Sequence, residues 1–163
     1  MLLDRAGQAH VHETSAYQML NNAASWKPEA IPKLRLVAGA IKEHGSLAFL
    51  QISHNGAAAG SGSWSKLPLL SPSGLAVRVD NPKVLETDEI AELVSAYAQT
   101  AANAAEAGFD GIEVHAAHGY LITQFLSPVT NQRTDHYGGT LENRMRFLVE
   151  VLTAVRLLSL IHI

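Results

Sequence analysis

Gly108-Phe109-Asp110-Gly111-Ile112-Glu113-Val114-His115-Ala116-Ala117-His118-Gly119-Tyr120-Leu121 is the stretch on which the reading of the fold turns. Its first half, Phe109 to His115, is short, partly β-branched and bounded by glycine and polar residues, which predicts a strand. Its second half delivers two imidazoles and a phenol directly after that strand. Upstream, Ile90, Leu93, Val94, Tyr97, Ala101 and Ala105 recur at helical spacing. This predicts a helix opening at Thr87, with Asp88 and Glu89 in the first turn where the dipole favours negative charge, and Gly108 as a left-handed cap. Downstream, a third helix is predicted from Thr140, burying Leu141, Met145, Leu148, Val149, Leu152 and Val155.

Toward the amino terminus the same alternation continues. A helix is expected after Pro28 and Pro32, with Leu34, Val37, Ala38 and Ile41 at helical spacing and Gly45 ending it. Ala9 to Thr14 and Leu47 to Ile52 are strand candidates. Strand, helix, strand, helix, strand, helix indicates βα units around a parallel sheet, an α/β fold whose ligand-handling residues gather at the carboxyl ends of the strands. From Ile52 to Thr87 runs a stretch rich in Gly, Ser, Ala and Pro, containing Gly56, Gly60, Gly62, Pro68, Pro72 and Gly74. So long a loop inside a compact unit is usually functional or disordered. Neither a repeat nor a linker divides the chain.

Composition excludes several classes. The chain has 163 residues, 47% of them hydrophobic and 17% charged, and a formal charge of -3. Near-neutral charge gives no electrostatic reason to expect nucleic acid or an anionic membrane as partner. No apolar run approaches the roughly 20 residues needed to span a bilayer. Asp4 and Arg5 come too early for an apolar secretory core to follow. The absence of cysteine rules out disulfide scaffolds, thiol catalysis and thiolate metal sites, and it fits a cytoplasmic protein.

The polar groups of interest fall at predicted strand ends: Gln51 and His54 on the middle strand, His115 and His118 on the last. Each has a bland reading. The two histidines could simply cap loop carbonyls, Gln51 could be an interior amide held by neighbouring backbone, and Tyr120 could be a half-buried aromatic with a solvated hydroxyl. A metal-dependent hydrolase barrel using Glu113, His115 and His118 is an alternative, since Glu113 would share a strand face with His115. It is weak: the helical zinc pattern needs histidines four apart with Glu after the first, whereas here the spacing is three and Ala116 follows. No metal ligand is assigned. Arg133 and Asp135 read as a loop-bracing ion pair, and Gly138-Gly139 as a tight turn feeding an N-cap at Thr140.

Continuing through Gln124-Phe125-Leu126-Ser127-Pro128, Asn131-Gln132-Arg133-Thr134-Asp135-His136-Tyr137-Gly138-Gly139 and Glu142-Asn143-Arg144 to Arg146-Phe147, the run closely resembles the old yellow enzyme family of FMN-dependent ene reductases and NADH:flavin oxidoreductases. Leu50-Gln51-Ile52-Ser53-His54-Asn55-Gly56 resembles the family's glutamine-bearing strand end, and Ser71-Pro72-Ser73 its proline-serine turn. Val11 to Thr14 resembles an earlier strand ending in an acidic residue.

The resemblance implies an incomplete TIM (β/α)8 barrel over residues 1–156, roughly strand two to helix four. It implies FMN as cofactor, with NADH or NADPH as electron donor and activated alkenes (α,β-unsaturated carbonyl or nitro compounds) as substrates. By position, Gln51 and His115 would contact the flavin, His115 and His118 would bind the substrate oxygen, and Tyr120 would bind substrate and donate the proton. The full-length protein could be a homo-oligomer.

Three departures qualify this. Ala57 stands where many relatives carry arginine. A complete barrel typically needs about 250 residues, so the chain alone is expected to be inactive, a catalytically inactive remnant at the extreme, and a half-barrel's open edges favour aggregation. Finally, residues 157–163 do not resemble the family and read as a truncation junction or artefact, so His162 is assigned no function.

Overall fold

The computed structural model describes residues 3–15, 24–59, 67–76 and 81–159. Its main sheet has three parallel strands, β1 (Leu3–His10), β2 (Leu47–Ser53) and β5 (Gly111–Val114), in the order β1-β2-β5. Helices α1 (Ile31–Lys42), α2 (Thr87–Glu106) and α4 (Leu141–Ser159) follow β1, β2 and β5 in turn, with a short helix α3 (Leu121–Leu126) inserted before α4. Strands that neighbour one another in chain order, with each helix packed against the next, wind in one direction, as successive βα units of a barrel do. The fold is α/β, an incomplete (β/α)8 barrel, as the sequence suggests.

Register places the site. Phe49 pairs with Gly111, Leu50 with Ile112, Gln51 with Glu113 and Ile52 with Val114. Leu50, Ile52 and Ile112 enter the core between sheet and helices. Because successive strand side chains alternate faces, Gln51 and Glu113 lie together on the other face. At Gly111 an added Cβ would lie 2.1 Å from the Phe49 ring, so the strand pair closes only over a residue without a side chain.

Helix α2 begins as predicted, but its cap is Glu86, whose backbone N–H donates to the Glu89 carboxylate at 2.9 Å in a reciprocal capping box. Ile90, Leu93, Tyr97 and Ala101 are buried. Gly108 has φ +93, the left-handed conformation that ends the helix.

Two sequence expectations fail. The first strand does not cover Ala9 to Thr14: it runs from Leu3 to His10, and Glu13–Ser15 form a 3-10 turn. The cause is local polar bonding. The Thr14 N–H and Oγ1 both bond His12 Nδ1, at 3.3 and 2.8 Å, and Ser15 Oγ bonds His10 Nδ1 at 2.8 Å, so these side chains curl the chain out of the sheet.

The second failure is the rotation of α4. Leu141, Met145 and Val149 are exposed, by 59%, 38% and 50%, while Phe147 and Val151 are fully buried; Val155 is buried as predicted. The helix carries two apolar stripes, and aromatic packing selects between them: the Phe147 ring meets Phe125 at 4.6 Å and Tyr97 edge-on at 6.3 Å.

The Gly- and Pro-rich stretch is partly ordered, with a 3-10 turn Gly56–Ala58 and a two-residue parallel pair, β3 (Leu70–Ser71) and β4 (Lys83–Val84); its residues 60–66 and 77–80 lie outside the described residues. Arg133 braces it as expected. Its guanidinium grips Asp135 through Nε (3.1 Å to each oxygen) and Nη2 (2.6 Å), and donates to the carbonyls of Pro72 and Leu85. Hydrogen bonds from Arg133 hold the Asp135 carboxyl below its ordinary range.

The Gly138-Gly139 turn also behaves as predicted. An added Cβ on Gly138 would lie 2.1 Å from the Arg133 carbonyl oxygen, and Thr140 Oγ1 accepts the Asn143 N–H at 3.3 Å. Helix α4 continues through Leu157 and Leu158 to Ser159; His162 lies outside the described residues. Among the described residues no helix is long and apolar enough to cross a membrane.

Candidate active site at the strand ends

Parallel pairing brings the carboxyl ends of β2 and β5 to one rim. The ladder extends past β5 through His115 N–H to Ile52 O at 3.0 Å, and Leu121 N–H donates to His54 O at 3.0 Å. Gln51 is 5% exposed, and its Nε2 donates to Glu113 Oε1 at 2.7 Å. Backbone does not supply that contact, as the bland reading supposed; the cross-strand neighbour does, and only the register reveals it. Glu113 is thereby engaged with Gln51, and among the described residues no group of three His, Cys, Asp or Glu could hold a metal ion. Nothing in this geometry favours the hydrolase alternative.

His115, His118 and Tyr120 come together. His115 is buried and His118 exposed. The His115 Nδ1 accepts the Ala117 N–H at 3.1 Å, and its Nε2 shares a 3.0 Å hydrogen bond with His118 Nδ1. For neutral rings this pattern has one consistent tautomer set: a His115 Nδ1 that accepts leaves the proton on Nε2, which donates to His118 Nδ1, and His118 then carries its own proton on Nε2. The Tyr120 ring lies with its centroid 4.9 Å from His115 and 6.3 Å from His118. His118 has φ +57, among the described residues the one non-glycine with positive φ. Such backbone strain persists where the surroundings over-determine it, and it clusters at functional sites.

His54 differs from its sequence reading. It closes β2 but is 1% exposed, with Nδ1 accepting the Gly56 N–H at 3.0 Å and Nε2 bonded to Thr14 Oγ1 at 2.9 Å. It belongs to a structural cluster with His10 and His12 that joins the ends of β1 and β2. Burial, then the nearby His12 and His10, hold the His54 ring well below its ordinary value, and burial lowers His10 to about 4. The fold therefore accommodates these rings neutral. Above the unfolded value of about 6.5 their contribution is intact; as pH falls toward 4 the unfolded chain takes up protons that the native state refuses, and stability declines. The unfolding midpoint should be flat above pH 7 and drop between about 6.5 and 4, as a urea or thermal titration across pH would show. A midpoint that rises on acidification through that window would contradict the assignment.

A flavin makes definite demands on such a rim. The pyrimidine edge of an isoalloxazine presents both donors and acceptors, and an uncharged carboxamide offers both side by side, from its oxygen and its nitrogen. Gln51, held by Glu113 through one amide proton, keeps its carbonyl oxygen and the second amide proton for such an edge. The donor set fits the group.

Residues 5–158 match the model of the NADH:flavin oxidoreductase / NADH oxidase family. An NADPH dehydrogenase of Geobacillus sp. (strain WCH70) is 43% identical over 133 residues, covering 80% of this chain and 38% of the relative. The 12-oxophytodienoate reductase 1 of Oryza sativa subsp. japonica is 39% identical over 154 residues, covering 88% of this chain and 38% of the relative. Among solved structures, morphinone reductase in complex with tetrahydroNAD superimposes with a TM-score of 0.83 at 32% identity, covering 93% of this chain and 47% of that one. The chain thus spans about 38% of the length of these curated relatives. A match over nearly every described residue places the chain in the NADH:flavin oxidoreductase / NADH oxidase family, the old yellow enzyme family that its sequence resembles.

Proposed function

We propose that this chain is the part of an FMN-dependent oxidoreductase that receives an activated alkene, an α,β-unsaturated carbonyl or nitro compound, for reduction by electrons from NADH or NADPH. The observation that carries the reading is the hydrogen-bonded pair His115 and His118 with Tyr120 against it, on the same rim as Gln51.

The chemistry suits those side chains. Hydride addition to the alkene drives negative charge onto the carbonyl or nitro oxygen. Two fixed N–H donors aimed at that oxygen stabilise charge where it develops, an effect of about 3 kcal/mol per donor in comparable sites. In the tautomer arrangement above His118 offers its Nε2–H, and an arriving oxygen competes with His118 Nδ1 for the Nε2–H of His115. Tyr120, half-buried beside both rings, supplies the proton to the carbon that does not receive hydride. Gln51 and His115 would contact FMN, which supplies the hydride when bound.

On this reading the substrate is a small molecule, neither nucleic acid nor membrane is a partner, and a cysteine-free chain fits the cytoplasm. Activity belongs to the whole protein, of which this chain is expected to be an inactive part. The full-length protein should purify yellow and release FMN on denaturation, whereas the 163-residue chain alone should show no binding in a titration at micromolar FMN. A full-length protein that is colourless and takes up no added FMN would overturn the proposal.

A further inference from the structure

We propose that Gln124 is a positioning residue of this site: its buried carboxamide fastens the loop leaving β2 to the turn carrying His118 and Tyr120, and so fixes the arrangement in which His118 meets His115. The inference deepens the functional reading above and rests on it for its consequence in catalysis. The positioning itself concerns only this chain's own residues.

Gln124 lies on α3 and is 2% exposed. Its Oε1 accepts the Ala57 N–H at 3.1 Å, while its Nε2 donates to Asn55 O at 3.2 Å and to Gly119 O at 2.7 Å. Two of these contacts lie in the loop after β2 and the third lies in the turn after β5, one residue beyond His118. The chemistry requires an amide. One end must accept from an N–H and the other must donate to two carbonyls; a carboxylate only accepts, and an apolar side chain does neither.

The loop is shaped to admit the amide. A Cβ at Gly56 would lie 2.5 Å from Gln124 Oε1, and Gly56 has φ +58, so both space and backbone call for glycine there. On the far side, His118 is held at φ +57 in a turn whose Gly119 carbonyl takes the shortest of the three bonds. A left-handed histidine needs such external restraint. Ala57, where the sequence departs from many relatives, is fully occupied here: it is 1% exposed and its N–H serves Gln124.

The test is the tautomer state of the histidine rings, read by long-range 1H–15N spectra of the intact protein free of flavin. Wild-type protein should show His118 with a protonated Nε2 and an accepting Nδ1. Gln124→Met, close in shape but unable to bond, should turn His118 into a tautomer mixture while His10, bonded to Ser15, keeps its signals. A folded Gln124→Met protein with unchanged His118 signals overturns the proposal. Should that variant not fold, Gly56→Ala decides, because it keeps the amide but pushes on it: shifted His118 signals support the proposal and unchanged ones overturn it.

In the flavin-loaded full-length protein, Gln124→Met should lower kcat by up to about 10²-fold, as misplacement by about 1 Å can, with FMN retained. A tautomer shift with unaltered turnover would leave the positioning intact and sink instead the catalytic reading of the pair.

Discussion

Changing both His115 and His118 to alanine should slow reduction of an enone by the flavin-loaded, full-length protein by about 10²–10³-fold while FMN stays bound. The two imidazoles are the donors that the charge developing on the substrate oxygen would meet, and they are bonded to each other at 3.0 Å, so they act as a unit. Single substitutions should therefore be non-additive, each costing a large part of the double loss. Replacing His115 removes both a donor and the ring that His118 leans on; replacing His118 removes the imidazole that shares a hydrogen bond with His115 Nε2. Phenolic ligands, whose oxygen would accept from the same two donors, should weaken in parallel. Stopped-flow reoxidation of the reduced flavin by the enone measures the effect, and a double variant that reoxidises as fast as wild type would remove the pair from the mechanism.

Phe147→Ala should cost about 3–5 kcal/mol of stability, near the upper end for a core truncation. Phe147 is 0% exposed and forms the centre of an aromatic cluster with Phe125 at 4.6 Å and Tyr97 at 6.3 Å, joining α2, α3 and α4. Rings from three helices cannot all collapse into the vacated volume, so the transfer loss and the cavity add. Met145→Ala, two positions away on the same helix but 38% exposed, should cost far less. Urea unfolding of the two variants beside wild type checks both. Equal costs at the two positions would mean that α4 is rotated as its sequence periodicity suggested.

That contrast marks where sequence reading stops. The order of strands and helices was legible because a helix and a strand impose different periods on a chain whatever surrounds them. Ile90, Leu93, Tyr97 and Ala101 on α2 were read correctly because that helix has one apolar stripe. Helix α4 has two, and only the rings of Phe125 and Tyr97 decide which one turns inward. The 3-10 turn at Glu13–Ser15 escaped because side-chain bonds by His12, Thr14 and Ser15 ended a strand that composition would have prolonged. Helix α3 has six residues, too few to show a period.

For the site, the sequence alone singled out Gln51, His115, His118 and Tyr120, because residue type and position at a strand's carboxyl end are local properties. It could not say that Glu113 holds Gln51, that His54 is sealed into a structural cluster, or that Gln124 ties the two rim loops together. Those facts depend on which residues the sheet register and the loop crossings bring within hydrogen-bonding distance of one another, although 40 to 69 positions can separate them along the chain. Chemistry-bearing side chains are written locally, whereas the partners that orient and neutralise them are chosen by packing, since a hydrogen bond depends on distance in space and not along the chain.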